Sequence, residues 1–145
     1  MHARRDDGYE IATDPHRLDL DTVHRWLSED AYWSRGRSRA KTEQAVRGSL
    51  NYGVYAPDGA QAGYGRVITD KATFAWLCDV YIDPAQRGRG LGSWLATTIR
   101  DHLTTYPLTR IMLATADAHT LYAKAGFTPV PDLTELMLLR PDPTP

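Results

Sequence analysis

A glycine-rich turn between an apolar segment and an amphipathic one constrains the fold of this chain more than any other feature. Gly88, Gly90 and Gly92 alternate with other residues directly after an apolar run over 77–82. Leucine and isoleucine then recur at helical spacing over 91–103. Glycine lets the backbone turn sharply and lets a ligand approach the N–H groups without meeting a Cβ atom. The pattern predicts a strand, a turn and a helix whose positive end points into the turn, as in a phosphate site.

The arginines in the turn and the spacing of its glycines indicate which class of phosphate ligand it could bind. Arg87 and Arg89 add two positive charges to the turn. The glycine spacing does not fit the dinucleotide fingerprint G-x-G-x-x-G, and the nucleotide phosphate loop G-x-x-x-x-G-K-[ST] is absent. The turn therefore predicts a phosphate or pyrophosphate ligand outside both of those classes.

Length and composition exclude several functional classes. The chain has 145 residues, 42% of them hydrophobic, and a net charge of −1, so we expect one domain over 1–145 and no nucleic-acid partner. The single cysteine, Cys78, lies in an apolar segment and cannot form an internal disulfide. No run is long enough to span a membrane, and the polar N-terminus lacks a signal core. These features predict a cytoplasmic protein with no membrane partner.

Periodicity along the chain predicts a mixed α/β domain. Short apolar or alternating segments separated by turn residues predict strands, and apolar residues three and four apart predict helices. The predicted strands cover 9–13, 51–55, 61–68, 73–82, 110–114, 127–130 and 134–140, with helices near 20–27, 41–50, 91–103 and 118–125. Asp117 is the predicted cap of the last helix, and residues 1–7 and the proline-rich 141–145 are predicted to be disordered.

Two separate motifs resemble those of one family. The run from Arg87 to Gly92 fits the loop pattern Q/R-x-x-G-x-G/A of motif A in the GCN5-related N-acetyltransferase (GNAT) superfamily. The run Leu121-Tyr122-Ala123-Lys124-Ala125-Gly126-Phe127 resembles the L-Y-x-K-x-G-F signature of its motif B. The two motifs occur in the family's order, and the predicted strands and helices do so too. The resemblance implies the GNAT fold, a twisted and mostly antiparallel mixed sheet splayed between its fourth and fifth strands and flanked by about four helices.

The resemblance also implies a cosubstrate and the residues that bind it. GNAT enzymes bind acetyl-coenzyme A (acetyl-CoA) through the loop and through the backbone of the strand before it, and they need no metal. Carried over to this sequence, the cofactor-binding residues are Val80, Tyr81, Ile82, Arg87, Gly88, Arg89, Gly90, Leu91, Gly92 and Ser93.

The sequence offers two catalytic candidates, each with an alternative. The resemblance makes Tyr122 the acid that protonates the departing thiolate; alternatively it is a packed aromatic whose hydroxyl bonds a buried carbonyl. Asp79 is a candidate base for the incoming ammonium, because a carboxylate in an apolar strand is costly without a role or a partner. The alternative for Asp79 is a salt bridge to an arginine such as Arg66.

The sequence specifies the substrate-binding residues less well than the other parts of the site. Trp26, Trp33 and His119 are the candidate substrate-binding residues, with aromatic walls suited to a cation or an apolar stem. The tryptophans are equally consistent with core anchors, and His119 with a solvated helix surface. We expect an N-acetyltransferase for a primary amine of a small molecule, peptide or protein, or alternatively an acyl-CoA sensor without turnover. The resemblance also implies a homodimer in which two copies pair through the apolar segment 134–140.

Overall fold

The computed structural model describes residues 1–141 and forms one six-stranded sheet in the order β1-β2-β3-β4-β5-β6. Every neighbouring pair is antiparallel except β5 and β6, which are parallel. The strands are β1 (His2–Arg4), β2 (Glu10–Ala12), β3 (Leu50–Tyr55), β4 (Gln61–Thr69), β5 (Phe74–Ile82) and β6 (Arg110–Leu113). The mixed, mostly antiparallel sheet confirms the predicted fold class.

Helices lie on both faces of this sheet. They are α1 (Leu20–Arg25), α2 (Arg39–Arg47), α3 (Leu91–Leu103) and α4 (His119–Lys124), and α1 continues into a π-helical turn over Trp26–Asp30. Asp19 and Ser38 begin α1 and α2, and each side chain accepts a hydrogen bond from a backbone N–H of the first turn. Gly90 begins α3 and has no side chain that could do this, which leaves that helix end open to a ligand.

Two buried clusters cover the two faces. Leu95 and Ile99 of α3 pack with Tyr52 and Val54 of β3 on one face. On the other face, Val23 and Leu27 of α1 and its continuation pack with Tyr64 and Tyr81. The sheet is therefore held between α3 on one side and α1 on the other, with both faces contributing to the core.

Strand β5 carries an irregularity that the sequence pattern did not predict. Its register against β4 shifts between Tyr64 and Arg66, and Asp79 adopts a left-handed φ of 52°. Strict alternation along a strand would make Val80 face away from Leu77, but both side chains pack on the α3 side. The alternation is wrong because a β-bulge places one extra residue in β5 and reverses the facing of the residues after it.

The N-terminal prediction is also wrong. Residues 2–4 are not disordered but form β1, in which Ala3 lies opposite Ile11. The terminal ammonium of Met1 donates to Thr13 Oγ1 at 2.8 Å. A polar three-residue strand has no periodic signal, so only its pairing with β2 reveals it.

The two predicted closing strands do not form. From Thr128 to Pro141 the chain contains one short 3-10 turn, Leu133–Glu135, and no strand. Pro129 and Pro131 lack the N–H that a strand ladder requires, and the second predicted segment pairs with no strand of residues 1–141. The predicted disorder of 142–145 lies outside the described residues.

Candidate active site

The glycine turn forms a cradle of free backbone donors. Gly88 and Gly90 have positive φ angles of 78° and 72°, and a Cβ at either position would meet no atom within 4 Å. The first backbone bond of α3 is donated by Trp94 to the Gly90 carbonyl. Within residues 1–141, the N–H groups from Gly88 to Ser93 donate to no backbone or side-chain acceptor. Consecutive unpaired N–H groups at a helix start form an anion site.

A cavity of about 330 Å³ lies against this cradle. Its walls come from β5, the turn, the start of α3 and α4. They are Val80, Ile82, Arg87, Gly88, Gly90, Leu91, Gly92, Ser93, Ala118, Leu121 and Tyr122. A side chain at position 92 would narrow this cavity, because its Cβ would lie 3.1 Å from Leu121 Cδ1. The open cradle and the absence of a Cβ on its glycines fit the pyrophosphate and pantetheine arm of coenzyme A.

Two predicted cofactor residues lie outside this cavity. The Tyr81 ring packs on the opposite face of the sheet, where its phenol donates to Asp30. Burial, followed by that hydrogen bond, raises the pKa of Tyr81 to about 12. The Arg89 side chain is exposed, and its carbonyl accepts a bond of 3.0 Å from Arg5, a residue that the sequence analysis did not single out.

The sheet opens beside this cavity. Strands β5 and β6 pair only over Phe74–Leu77 and Arg110–Leu113, so within residues 1–141 the rest of β5 has no strand neighbour on that edge. Val80 and Ile82 lie in this separated part and line the cavity. The backbone edge of β5 is therefore available for a ligand to pair with, in the place of the missing strand.

A second cavity, of about 410 Å³, continues from the first. It is lined on one side by the α1–α2 connection and on the other by β4, β5 and the segment before α4. We call it the acceptor cavity, with lining residues Tyr32, Trp33, Arg37, Arg66, Ile68, Trp76, Leu77, Cys78, Asp79, Val80, Ala114, Thr115, Asp117, Ala118 and Tyr122. Val80, Ala118 and Tyr122 line both cavities and mark their junction.

Tyr122 presents a free hydroxyl at this junction. Its ring packs against Phe127, with centroids 6.0 Å apart. The hydroxyl makes no hydrogen bond to any group in residues 1–141, so the alternative in which it bonds a buried carbonyl is not observed. Burial, followed by the nearby Tyr32 and Asp117, raises the pKa of Tyr122 to about 12. The phenol therefore stays protonated at neutral pH.

Helix α4, which carries Tyr122, begins differently from the prediction. Asp117 does not cap it; the Ala118 N–H donates instead to Thr115 Oγ1 at 3.0 Å. Asp117 is exposed at the edge of the acceptor cavity. Gly126 ends the helical segment with a φ of 92°, in the left-handed conformation typical of a residue just past a helix.

Asp79 is buried and fully bonded. Its Oδ1 accepts from Trp33 Nε1 at 3.0 Å and Arg37 Nη2 at 3.1 Å, and its Oδ2 from Arg37 Nη1 at 2.7 Å and Arg66 Nε at 2.8 Å. Burial alone would raise the pKa of Asp79, but the hydrogen bonds and charges of both arginines outweigh it and lower that pKa. The geometry favours the salt bridge of the two alternatives, because a carboxylate held in its ionised form accepts protons poorly.

The three predicted substrate residues lie in three different environments. Trp26 is a core residue, 6% exposed and with its ring 5.3 Å from that of Tyr81. Trp33 is 43% exposed and lines the acceptor cavity. His119 is exposed at the first position of α4 and lines neither cavity. Trp33 alone of the three is placed to contact an acceptor.

No site role was predicted for Arg37, Arg66 or Trp76, which also line the acceptor cavity. Arg37 lies in a connection without periodicity, and Arg66 and Trp76 lie in neighbouring strands. An arginine inside the otherwise apolar β4 was the available signal, because a buried guanidinium requires a partner.

In residues 1–141, His, Cys, Asp and Glu side chains form no group of three or more that could hold a metal ion. Over the same range, no helix combines the length and the apolar character that crossing a bilayer requires.

Comparison with known proteins agrees with this geometry. Residues 20–127 match the family model described as the acetyltransferase (GNAT) family. A candidate acetyltransferase of Gibberella zeae is 33% identical over 135 residues, which cover 80% of this chain and 76% of that protein. The crystal structure of a candidate GNAT-family acetyltransferase from Xanthomonas campestris pv. campestris is 38% identical, with a TM-score of 0.86 and 95% of both chains covered.

A more distant structure shares the fold and was solved with a ligand bound. This Mycobacterium tuberculosis protein, in complex with CoA, is 18% identical, with a TM-score of 0.68 over 83% of this chain and 72% of that one. The family match covers both motifs, the cradle and the junction tyrosine. The chain therefore belongs to the acetyltransferase (GNAT) family.

Proposed function

We propose that this protein is an acetyl-CoA-dependent N-acetyltransferase that acts on a primary amine. The observation that carries the proposal is the position of Tyr122. Its unbonded hydroxyl lies where the cavity of about 330 Å³ beside the glycine turn, which we call the cofactor cavity, meets the acceptor cavity. An acid at that junction is what a reaction between two ligands, one in each cavity, requires. The family match and the free N–H cradle support the choice of cosubstrate.

The residues that would hold acetyl-CoA divide into two groups. The N–H groups from Gly88 to Ser93, together with Arg87, would bind the pyrophosphate, and the open backbone edge at Val80 and Ile82 would pair with the pantetheine amides. Acetyl-CoA supplies an acetyl group activated as a thioester. Arg87 is held for this task, because its Nε donates to the Ile82 carbonyl at 3.0 Å and its guanidinium lies over the Tyr81 ring.

Tyr122 would act as the general acid. It gives its phenol proton to the sulfur as the carbon–sulfur bond breaks and the amine nitrogen bonds to the acetyl carbon. The proton that the amine releases passes to solvent, from which Tyr122 is reprotonated.

Asp79 would serve the reaction by position and not as the base. Its four hydrogen bonds fix Trp33, Arg37 and Arg66 around the acceptor cavity. The amine would therefore enter in its neutral form or lose its proton to water, because the remaining carboxylate on the cavity wall, Asp117, is exposed to solvent.

The test is release of free thiol from acetyl-CoA in the presence of an amine library. We expect turnover with at least one amine, a large loss of turnover in Tyr122→Phe, and loss of acetyl-CoA binding in Gly90→Glu, which places a carboxylate in the cradle. Full turnover in both variants would overturn the mechanism and the site together.

A non-catalytic acyl-CoA sensor is the second candidate. It predicts CoA binding by calorimetry without turnover on any amine. The position of Tyr122 favours catalysis, because its hydroxyl bonds to no group in residues 1–141 and lies at the junction of the two cavities, where an acid for the leaving sulfur is required.

We also propose that two copies of the chain pair through their C-terminal segments. Leu136 to Leu139 are exposed, Met137 to 98%, and the outer edge of β6 is unpaired within residues 1–141. A groove of about 410 Å³ runs beside β6, lined in part by Leu108, Ile111 and Phe127. The segment of a second copy would fill this groove and continue the sheet.

Light scattering tests this pairing. We expect a dimer for the wild type and a monomer for the double variant Met137→Lys and Leu139→Lys, because lysine on the paired segment opposes edge association. A monomeric wild type at high protein concentration would refute the pairing.

A further inference from the structure

The charges in the acceptor cavity identify the kind of amine that it takes. Arg37 and Arg66 each carry a positive charge, and both contact the single carboxylate of Asp79. Their side chains are 17% and 12% exposed, so water screens these charges poorly. Two guanidiniums against one carboxylate leave an excess of one positive charge at this wall.

Asp79 has no capacity left for a substrate. A carboxylate offers about four lone-pair sites, and those of Asp79 accept one bond from Trp33, two from Arg37 and one from Arg66. A cationic group of the acceptor therefore finds no free carboxylate on this side of the cavity.

Arg66, by contrast, has an N–H donor that is free to bind a ligand. Its Nε bonds to Asp79 and its Nη1 to Ser49 Oγ at 3.0 Å, whereas Nη2 donates to no group in residues 1–141. Over that range, Tyr55 Oη is the one buried side-chain polar atom without a partner. Nη2 of Arg66 has no partner either, so it cannot be buried and must be accessible to solvent. The guanidinium can thus donate to an anionic oxygen in the cavity.

The cavity wall next to Tyr122 has the opposite sign. Asp117 lies there, close enough to Tyr122 to contribute to the rise of its pKa. An ammonium is favoured near Asp117 and Tyr122, and a carboxylate near Arg66 and Arg37. The cavity is therefore dipolar, and its negative end coincides with the position where acetyl transfer would occur.

We propose that the acceptor is an amino acid, with its amine directed to Tyr122 and its carboxylate bound by Arg66 and Arg37. This inference rests on the proposed N-acetyltransferase function and deepens it by naming the substrate class. Trp33 and Trp76 line the same cavity and offer apolar walls for the amino acid's side chain.

Matched acceptors test the charge requirement. Alanine, leucine and phenylalanine are each compared with their C-terminal amides in the thiol-release assay, with the amine pKa of each compound taken into account. We expect the carboxylate form of the best amino acid to exceed its amide about ten- to hundredfold in kcat/KM, the range of a charge-assisted hydrogen bond. An equal or better rate with the amides overturns the inference and leaves the N-acetyltransferase function intact.

Product binding gives a readout independent of turnover. N-acetylated amino acids and their amides are titrated calorimetrically into the CoA-loaded protein, and the carboxylate forms are expected to bind more tightly. Such a preference without turnover on any amine supports the inference and overturns the proposed function. Absence of binding and turnover for every carboxylate compound overturns the inference.

Arg66→Gln separates recognition from folding. Asp79 keeps its two bonds from Arg37 in this variant, and the excess charge is removed. We expect the preference for the carboxylate over the amide to fall about tenfold or more, because the carboxylate loses a charge-assisted donor that the amide does not use. Arg47→Gln, an exposed arginine of α2, removes the same charge outside the cavity and should keep the full preference. An unchanged preference in Arg66→Gln contradicts the inference.

Discussion

The two cavities that meet at Tyr122 are built from different parts of the chain. The cofactor cavity uses backbone N–H groups, glycines and one continuous segment from Val80 to Ser93, with α4 as its cover. The acceptor cavity uses side chains from four distant segments, joined by the buried ion pairs of Asp79. Backbone donors suit a ligand common to a whole family, whereas side chains can change with the acceptor. The difference separates the shared part of the site from the specific part.

Replacement of the junction phenol is expected to have the largest effect, because both cavities depend on it. Tyr122→Phe should lower kcat about 10²- to 10⁴-fold, the usual contribution of a general acid, with little change in CoA affinity. Steady-state kinetics and calorimetry measure the two quantities.

Tyr55→Phe is the matched control for this variant. The Tyr55 hydroxyl is also without a partner in residues 1–141, and burial raises the pKa of Tyr55 to about 12 as well. It lies at the end of β3, outside both cavities. Equal losses of kcat in the two variants would show that Tyr122 acts through packing alone.

Asp79→Asn should disrupt the acceptor side and spare the cofactor side. It leaves two largely buried guanidiniums without their carboxylate, and breaking a buried pair in this way costs about 3–5 kcal/mol. Urea unfolding measures that loss. Asp101→Asn, which removes a surface pair with Arg100, is the control and should cost at most about 1 kcal/mol.

The same pair predicts an acid sensitivity with a defined sign. The pKa of Asp79 is lower in the folded protein than in the unfolded chain, so its contribution to stability is present above the unfolded value of about 3.9. That contribution is lost as the pH falls through the folded pKa. The free energy of unfolding of Asp79→Asn should therefore fall less steeply at acid pH than that of the wild type. An equally steep fall in the variant would argue against the ion pair.

Gly90→Ala should affect the cofactor side alone. The left-handed φ of Gly90 costs a residue with a Cβ about 1–2 kcal/mol, and a distorted cradle should weaken CoA binding about tenfold. Gly59→Ala introduces the same strain, at a φ of 88°, in the turn between β3 and β4. Calorimetry should show unchanged CoA affinity in the Gly59 variant, and equal weakening in both would mean that the cradle makes no specific contribution.

The smallest expected effect is at alkaline pH. With Tyr122 protonated up to a pKa of about 12, kcat/KM should rise with the fraction of neutral amine and show no descending limb below about pH 10. A series of amines of different pKa should shift the rising limb in parallel. If the rise of kcat/KM with pH occurred at the same pH for every amine, the titrating group would be a base on the protein.

The difference between the cavities also explains how far the sequence could predict the site. The cofactor side could be predicted because its strand, glycine turn and helix are contiguous, so local pattern and motif specify it together. The acceptor side could not, because Arg37, Arg66 and Asp79 converge through pairings of distant segments. The bulge at Asp79 was a second obstacle, since no local signal distinguishes a bulged strand from one that alternates.

Strand formation at the two ends of the chain shows the same dependence on partners. Residues 2–4 are polar yet form β1, because β2 offers them an edge. Residues 134–140 have the apolar composition of a strand yet form none in the described chain, where they pair with no other segment. A strand is a property of a pair of segments, and composition describes only one of them.

The bulge in β5 has a practical consequence for work with this protein. It turns the side chains on both sides of the irregularity toward the acceptor cavity, and one of them is Cys78, the single cysteine of the chain. Burial raises the pKa of the Cys78 thiol to about 11, which makes its alkylation slow at neutral pH and easy to follow. The wild-type chain thus carries its own attachment point for one fluorophore or isotope tag. Protection of that thiol would report acceptor occupancy without any engineered label.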